Sequence, residues 1–173
     1  MLLGVLASSP LLVPAYRETV RFTAEIFLPT VLPAIAVENE GAAGWRIFEK
    51  LSDGTESKLL RIPSASLTEI YLGVLFLPAL LLATPVPWIR RLRLVGWGLL
   101  LLLLVQSVLL VAFLAAWVHY QRSDPGDDFY TWLTLVHSVA GQLAALPIWA
   151  GLTWRHWFLP GSTAFPKRHL PAR

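Results

Sequence analysis

Few side chains in this sequence are of a type and spacing that could do chemistry, and the first of them is a glutamine. Gln106 and Ser107 sit at the centre of WGLLLLLLVQSVLLVAFLAAW, residues 97–117, which carries no charge and has a tryptophan at each end. As a helix the stretch is about 31 Å long, close to the roughly 30 Å hydrocarbon core of a bilayer. A polar side chain in hydrocarbon needs a partner, because an unmade hydrogen bond there is costly. Similar depths on other apolar segments offer partners. Gln142 lies near the centre of the last one. Pro78 lies near the centre of another and leaves the Val74 carbonyl without its helical donor; Pro147 does the same for the Leu143 carbonyl. The reading is an interhelical polar clasp of Gln106, Gln142, Ser107 and Pro78, each bond contributing about 0.6–2 kcal/mol. A transport or ligand site at mid-depth is the alternative, although 173 residues is short for a carrier and no inverted repeat is visible.

The remaining candidates are histidines and acids. His119 ends the Gln106 segment, Asp124, Asp127 and Asp128 follow it, and His137 lies in the last apolar segment. A metal site would need three or four such ligands to converge, and none of the tight ligand spacings is present. The expectation is no metal and no cofactor. His156 and His169 read as surface residues. There is no cysteine, hence no thiol chemistry. No phosphate-binding glycine loop and no G-x-S-x-G serine is found. Glu69 lies at a segment end, so no carboxylate sits inside a span, which disfavours a proton relay. The expectation is a protein that is not an enzyme.

These residues are positioned by a chain that is 55% hydrophobic and only 14% charged, against about 25% charged in soluble domains. The fold class expected is an all-α membrane protein, a four-helix transmembrane bundle with a small extracytoplasmic β-hairpin element. Residues 1–15 are apolar with no basic residue before Arg17, and read as a short first span or anchor; a signal-peptide remnant is the alternative. Residues 16–33 place Arg17, Arg21 and Glu25 four apart, the pattern of an amphipathic helix lying in the interface; simple continuation of the first span is the other reading. Residues 34–66 read as a strand element, with WRIFEKL and SKLLRI joined through Asp53-Gly54 as a two-residue hairpin, and AIAVENE as a possible third strand. Residues 67–160 hold three spans, near 68–87, 94–119 and 129–157, the first opening on Thr68-Glu69. Residues 161–173 form a tail.

Charge sets an expected orientation. Arg90, Arg91 and Arg93 between two spans, with the basic tail, belong in the cytoplasm, and the 34–66 element then faces the periplasm with both termini inside. Trp88, Trp97, Trp154 and Trp157 would anchor the inner interface, Trp117 and Trp132 the outer one. The formal charge of +3 follows from this topology and implies no nucleic-acid partner.

The run IYLGVLFLPALLLATPVPWIRRLRLVGWGLLLLLLVQS, preceded by AIAVENE and followed by a last span ending in WRHWFLP, resembles the exosortase H-associated membrane proteins over roughly residues 15–160. The resemblance implies a small polytopic protein of the bacterial inner membrane, accompanying an exosortase in a protein-sorting system. It supplies no catalytic residue: the transpeptidases themselves use Cys, Arg and His, and this chain has no cysteine. The implied function is a non-enzymatic accessory protein in the lipid bilayer, bound to a membrane protein partner. A peripheral subunit of a larger respiratory or photosynthetic complex, or a small carrier using Gln106 and Gln142, are the alternatives.

Overall fold

The computed structural model describes residues 9–121 and 127–158. Helix α1 spans Ser9–Val31. A three-stranded antiparallel sheet follows, β1 (Ile35–Asn39), β2 (Trp45–Lys50) and β3 (Glu56–Ile62), in the order β1-β2-β3. Then come α2 (Ser64–Ile70), α3 (Gly73–Ala83), α4 (Trp88–Gln121), α5 (Asp127–Leu143) and α6 (Ala145–Phe158). The protein is therefore mostly helical with one small sheet. Two stretches, Trp88–Tyr120 and Thr131–Trp154, are long and apolar enough to cross a membrane, and Gly73–Ala83 is apolar but shorter.

Helix α4 is the column on which the rest is arranged. Helix α1 runs alongside it in the same direction: Val13 shares a core with Leu102, the Val20 carbonyl lies 3.5 Å from the Ser107 hydroxyl, and Leu28 shares a core with Leu114 and Val118. The pairs α2–α3 and α5–α6 run against it, since Leu77 and Leu81 approach Gly98 while Gly73 approaches Gln106, and Leu152 approaches Gly98 while His137 stacks on Phe113.

The break expected between residues 15 and 16 is absent. One helix, 23 residues long, carries both halves, with Pro14 and Pro29 inside it. Pro14 forgoes the bond to the Pro10 carbonyl and Pro29 the bond to the Glu25 carbonyl, and the helix continues past both to Val31. Three stripes divide α1. Val13, Val20, Ala24 and Leu28 are buried, and Phe22 and Ile26 are exposed apolar residues. Its ionic stripe is turned to the sheet and to α2. Arg17 Nη1 donates to Ser64 Oγ (2.8 Å), Arg21 Nη1 donates to Glu25 Oε1 (2.6 Å) and the Val37 carbonyl (3.3 Å), and Trp45 Nε1 donates to Glu18 Oε1 (3.4 Å).

The sheet answers that stripe with an apolar face. Ile35, Val37, Trp45, Ile47 and Ile62 are buried in one core with Val20, Ala24 and Leu28 of α1 and with Leu110 and Leu114 of α4. Three strands on a helical support satisfy the minimum that a free hairpin does not reach. The other face is polar: Arg46 pairs with Glu56 and lies 4.8 Å over the Phe48 ring. AIAVENE does form the third strand, with Val37 opposite Ile47. The β2–β3 turn differs from the two-residue form. Leu51 N–H donates to the Thr55 carbonyl (2.9 Å) and Gly54 N–H to the Leu51 carbonyl (3.0 Å), which encloses Ser52, Asp53 and Gly54. Gly54 takes φ +82° there, the left-handed residue of a three-residue loop.

The segment expected as one span over 68–87 is two helices. It begins at Ser64 rather than at Thr68-Glu69, directly after Pro63, and breaks at Tyr71–Leu72. The last apolar segment also divides, at Ala144, where Pro147 cannot donate to the Leu143 carbonyl.

Two expectations follow. At Gly44, φ is +104° and an added Cβ would stand 2.0 Å from the Ile62 carbonyl oxygen, whereas at Gly54 it would meet nothing within 4 Å. Gly44→Ala is expected to cost roughly 3 kcal/mol or more and Gly54→Ala about 1 kcal/mol, read from thermal unfolding in mild detergent. In the turn, Asp53 Oδ1 accepts from the Thr55 hydroxyl (2.6 Å) and amide (2.9 Å), which holds the Asp53 carboxyl below the usual carboxylate range. Its contribution to the turn is then complete above the ordinary Asp value near about 3.9 and is lost as pH falls through the lowered folded value. An NMR titration of Asp53 in Thr55→Val should show its midpoint moved upward.

Candidate functional site

The two helix breaks lie side by side, and Gln106 reaches them from the unbroken column. Gln106 is 1% exposed, and its Nε2 donates to the Gly141 carbonyl at 3.0 Å. A Cβ added at Gly73, the first residue of α3, would lie 3.6 Å from Gln106 Nε2 and 3.4 Å from the Gly141 oxygen. One added at Gly141 would lie 2.7 Å from Ile70 Cγ2 and 3.1 Å from the Ile70 carbonyl oxygen. The absence of side chains at Gly73 and Gly141 lets two backbones and one amide occupy the same small space. Ser107 is also fully buried. Its hydroxyl donates to the Leu103 carbonyl of its own turn (2.8 Å), with the Val20 carbonyl of α1 at 3.5 Å. Adjacent residues on a helix point about 100° apart, so Gln106 and Ser107 face two different neighbours of α4.

Gln142 and Pro78 stand outside this contact. Gln142 is exposed and donates 3.4 Å to Ser138 Oγ on its own helix. The same rotation explains why: with Gly141 pressed against Ile70, the next side chain is carried off the packed face. Pro78 is half-buried five residues further along α3 and takes no part in the Gln106 hydrogen bond.

Sequence reasoning missed the second half of the seam. Arg17, placed by its spacing on a solvated stripe, is only 7% exposed. Its partner is Ser64 at the start of α2, and the nearest carboxylate oxygen, Glu18 Oε1, lies 3.8 Å from Nε. Beside it the Tyr16 and Tyr71 rings meet edge to face at 6.3 Å, and Tyr71 packs on Trp45 at 5.9 Å. Tyr71 forms the corner between α2 and α3, two residues before Gly73. Among the described residues, four buried polar atoms of the seam have no hydrogen-bond partner: Tyr16 OH, Tyr71 OH, Arg17 Nε and Gln106 Oε1. The only signals for this cluster in the sequence were the apolar Tyr-Leu-Gly run and a lone arginine one residue after Tyr16. Its chemistry is hydrogen bonding. A guanidinium, two phenols, a hydroxyl and an amide hold no nucleophile paired with a base.

The other predicted residues fall at the two ends of α4. Arg90 and Arg93 are exposed, and Arg91 donates from Nε to the Val86 carbonyl (2.7 Å). Trp88, Trp97, Trp132 and Trp154 are exposed, and Trp117 is half-buried against Phe113. Trp97 and Trp117 are separated by about 30 Å of helix. Trp157 belongs to α6, but its side chain lies outside the described residues, as do residues 1–8 and the 161–173 tail. His137 is buried against Phe113 at 4.6 Å, and His119 lies near Tyr120 at 5.4 Å. Among the described residues no group of three or more His, Asp or Glu side chains could hold a metal ion.

Comparison of the chain with protein-family models, with curated proteins and with solved structures found no match.

Gln106→Leu should lower stability by about 0.6–2 kcal/mol, the range for one interhelical bond in a membrane setting. Gly141→Ala should cost more, because its Cβ would clash with Ile70. The double variant should fall short of the sum, since both changes open the same contact. Thermal unfolding of the three variants in one detergent checks this.

Proposed function

We propose that the chain is a non-enzymatic accessory protein of the bacterial inner membrane, crossing the bilayer with four helical segments and binding a membrane protein partner. The segments are α1, α2–α3, α4 and α5–α6. The first is α1, so two carboxylates, Glu18 and Glu25, do stand inside a span, each paired with Arg21. Arg90–Arg93 lie in the cytoplasm and the sheet faces the periplasm, with both termini inside. The observation that carries the reading is the fate of the two glutamines. Gln106 is committed inside, to the Gly141 carbonyl, while Gln142 is exposed on a helix whose neighbouring side chains Val139 and Leu143 are also exposed and apolar. An amide on the outside of an apolar helix favours contact with another membrane helix over a path through the bundle. The resemblance to exosortase-associated proteins makes an exosortase the first partner to test, with a larger inner-membrane complex as the second.

One observation favours the carrier reading. Two broken helices meet at mid-height, where Tyr16 OH, Tyr71 OH and Gln106 Oε1 lack partners, an arrangement that transporters use for binding. Under that reading Gln106→Leu abolishes function while partner binding survives. Under the accessory reading partner binding is the function and Gln106 acts only through the fold.

The test of the accessory reading is purification of the full chain in mild detergent. A stoichiometric membrane protein should accompany it, and a free monomer alone would sink the proposal. Orientation is tested separately, because the chain has no native cysteine. Ser52→Cys should react with an impermeant maleimide added outside the inner membrane. Arg93→Cys should react only after the membrane is opened.

A further inference from the structure

A groove of about 550 Å³ runs between α2 and α5. Ser66 and Glu69 line it from α2, Thr131, Thr134 and Ser138 line it from α5, and Ile70 and Leu135 supply its apolar part. Among the described residues no basic residue lines it, and the Glu69 side chain is exposed. The α5 residues continue as a ladder, Thr131, Thr134, Ser138 and Gln142, each about one turn from the next and about 16 Å from end to end. Around the ladder the exposed side chains are Trp132, Leu135, Val136, Val139 and Leu143, the surface of a helix meant for lipid.

We infer that this groove is the docking site for a membrane-spanning helix of the partner protein, one that carries a Lys or Arg opposite Glu69. The inference rests on the accessory reading and names the surface and chemistry of its partner. Two features select the occupant. A carboxylate among hydroxyls, with no cation in the lining, is complementary to an ammonium or guanidinium, and a long basic side chain near a helix end reaches an interface while its stem stays in apolar surroundings. A lipid headgroup would satisfy Glu69 as well, but its acyl chains would then lie on Ser138 and Gln142, whose mutual hydrogen bond leaves further donor and acceptor capacity that hydrocarbon does not meet. A helix with small or polar residues meets the whole ladder.

The test is photo-crosslinking in cells that express the full chain, with the crosslinking residue at Thr134, at Ser138, or at Val108 on the exposed face of α4 as control. The expected adduct at Thr134 and Ser138 is one peptide from an apolar segment of a membrane protein, with a Lys or Arg near its end. Glu69→Lys should reduce its yield at least about tenfold, the effect of losing a partly desolvated charge pair. Changing the identified cation to Glu should restore it. Glu69→Gln should give a smaller loss, with an unchanged melting temperature in detergent. Adducts to lipid alone would overturn the inference, as would equal yields from Glu69→Lys or from Val108, and in those cases the accessory reading would stand if a partner still co-purifies. If no membrane protein co-purifies and no position gives a protein adduct, both fail.

Discussion

The hydrogen bond from Gln106 to the Gly141 carbonyl is the constraint on which the rest of the bundle depends. Apolar burial is non-directional, so register must come from close packing and from a few polar contacts. Here both coincide. The Gln106 amide fixes α5 at one height on α4, and Gly73 and Gly141 let the broken ends of α3 and α5 close around it. Below this point, toward Arg90–Arg93, α3, α4 and α6 pack through Leu77, Leu81, Leu102 and Ala145. Above it α1, α2 and the sheet take over. The two cores are stacked along α4 and meet at the polar seam.

The sheet and α1 depend on each other in a different way. An ionic stripe on a helix packed against α4 needs partners, and the sheet supplies the Val37 carbonyl and the Trp45 indole. In return a sheet of three short strands gains a support for Ile35, Val37, Ile47 and Ile62. Arg17 marks where the exchange is least complete. A buried guanidinium that hydrogen-bonds a serine hydroxyl at 2.8 Å, with its nearest carboxylate 3.8 Å from Nε, is costly. The contact is retained at the point where β3 ends, α2 begins and α1 crosses, and a charge held there specifies how those three elements meet. Breaking it by removing one partner would leave the other buried, which is why such contacts fix an arrangement even when they contribute little net stability.

What the sequence made legible was whatever a local pattern encodes. The apolar runs of α3, α4 and α5–α6 are visible as composition, the strands as alternation around Asp53-Gly54, and Pro147 as a flaw in a helix. What it hid was the result of packing. A proline inside an apolar run is ordinarily a helix break, yet α1 runs through Pro14. Arg17, Arg21 and Glu25 form the same stripe whether water or a sheet lies beside it, and only the fold decides between them. The corner at Tyr71 has no proline or glycine turn to announce it. It is held by aromatic contacts to Tyr16 and Trp45 that come from distant parts of the chain. The sequence reading set Gln106 beside Gln142 and the Val74 and Leu143 carbonyls, whereas the structure gives it the carbonyl of Gly141, one residue before Gln142.

That single residue separates two kinds of polar group. With Gly141 facing Ile70 and Gln106, helix geometry turns Gln142 about 100° away, off the packed face. Had the register been one residue different, both glutamines would face inward and the bundle would hold a four-donor amide pair at its centre, with an outside uniformly suited to lipid. Instead the inside keeps the Gln106 bond and several unmatched atoms, and the outside carries a line of hydroxyl and amide groups from Thr131 to Gln142. The Gln106–Gly141 contact thus does more than hold α5 to α4. By fixing the rotation of α5 it decides which of the chain's polar groups are closed within the bundle and which are presented to whatever lies beside it.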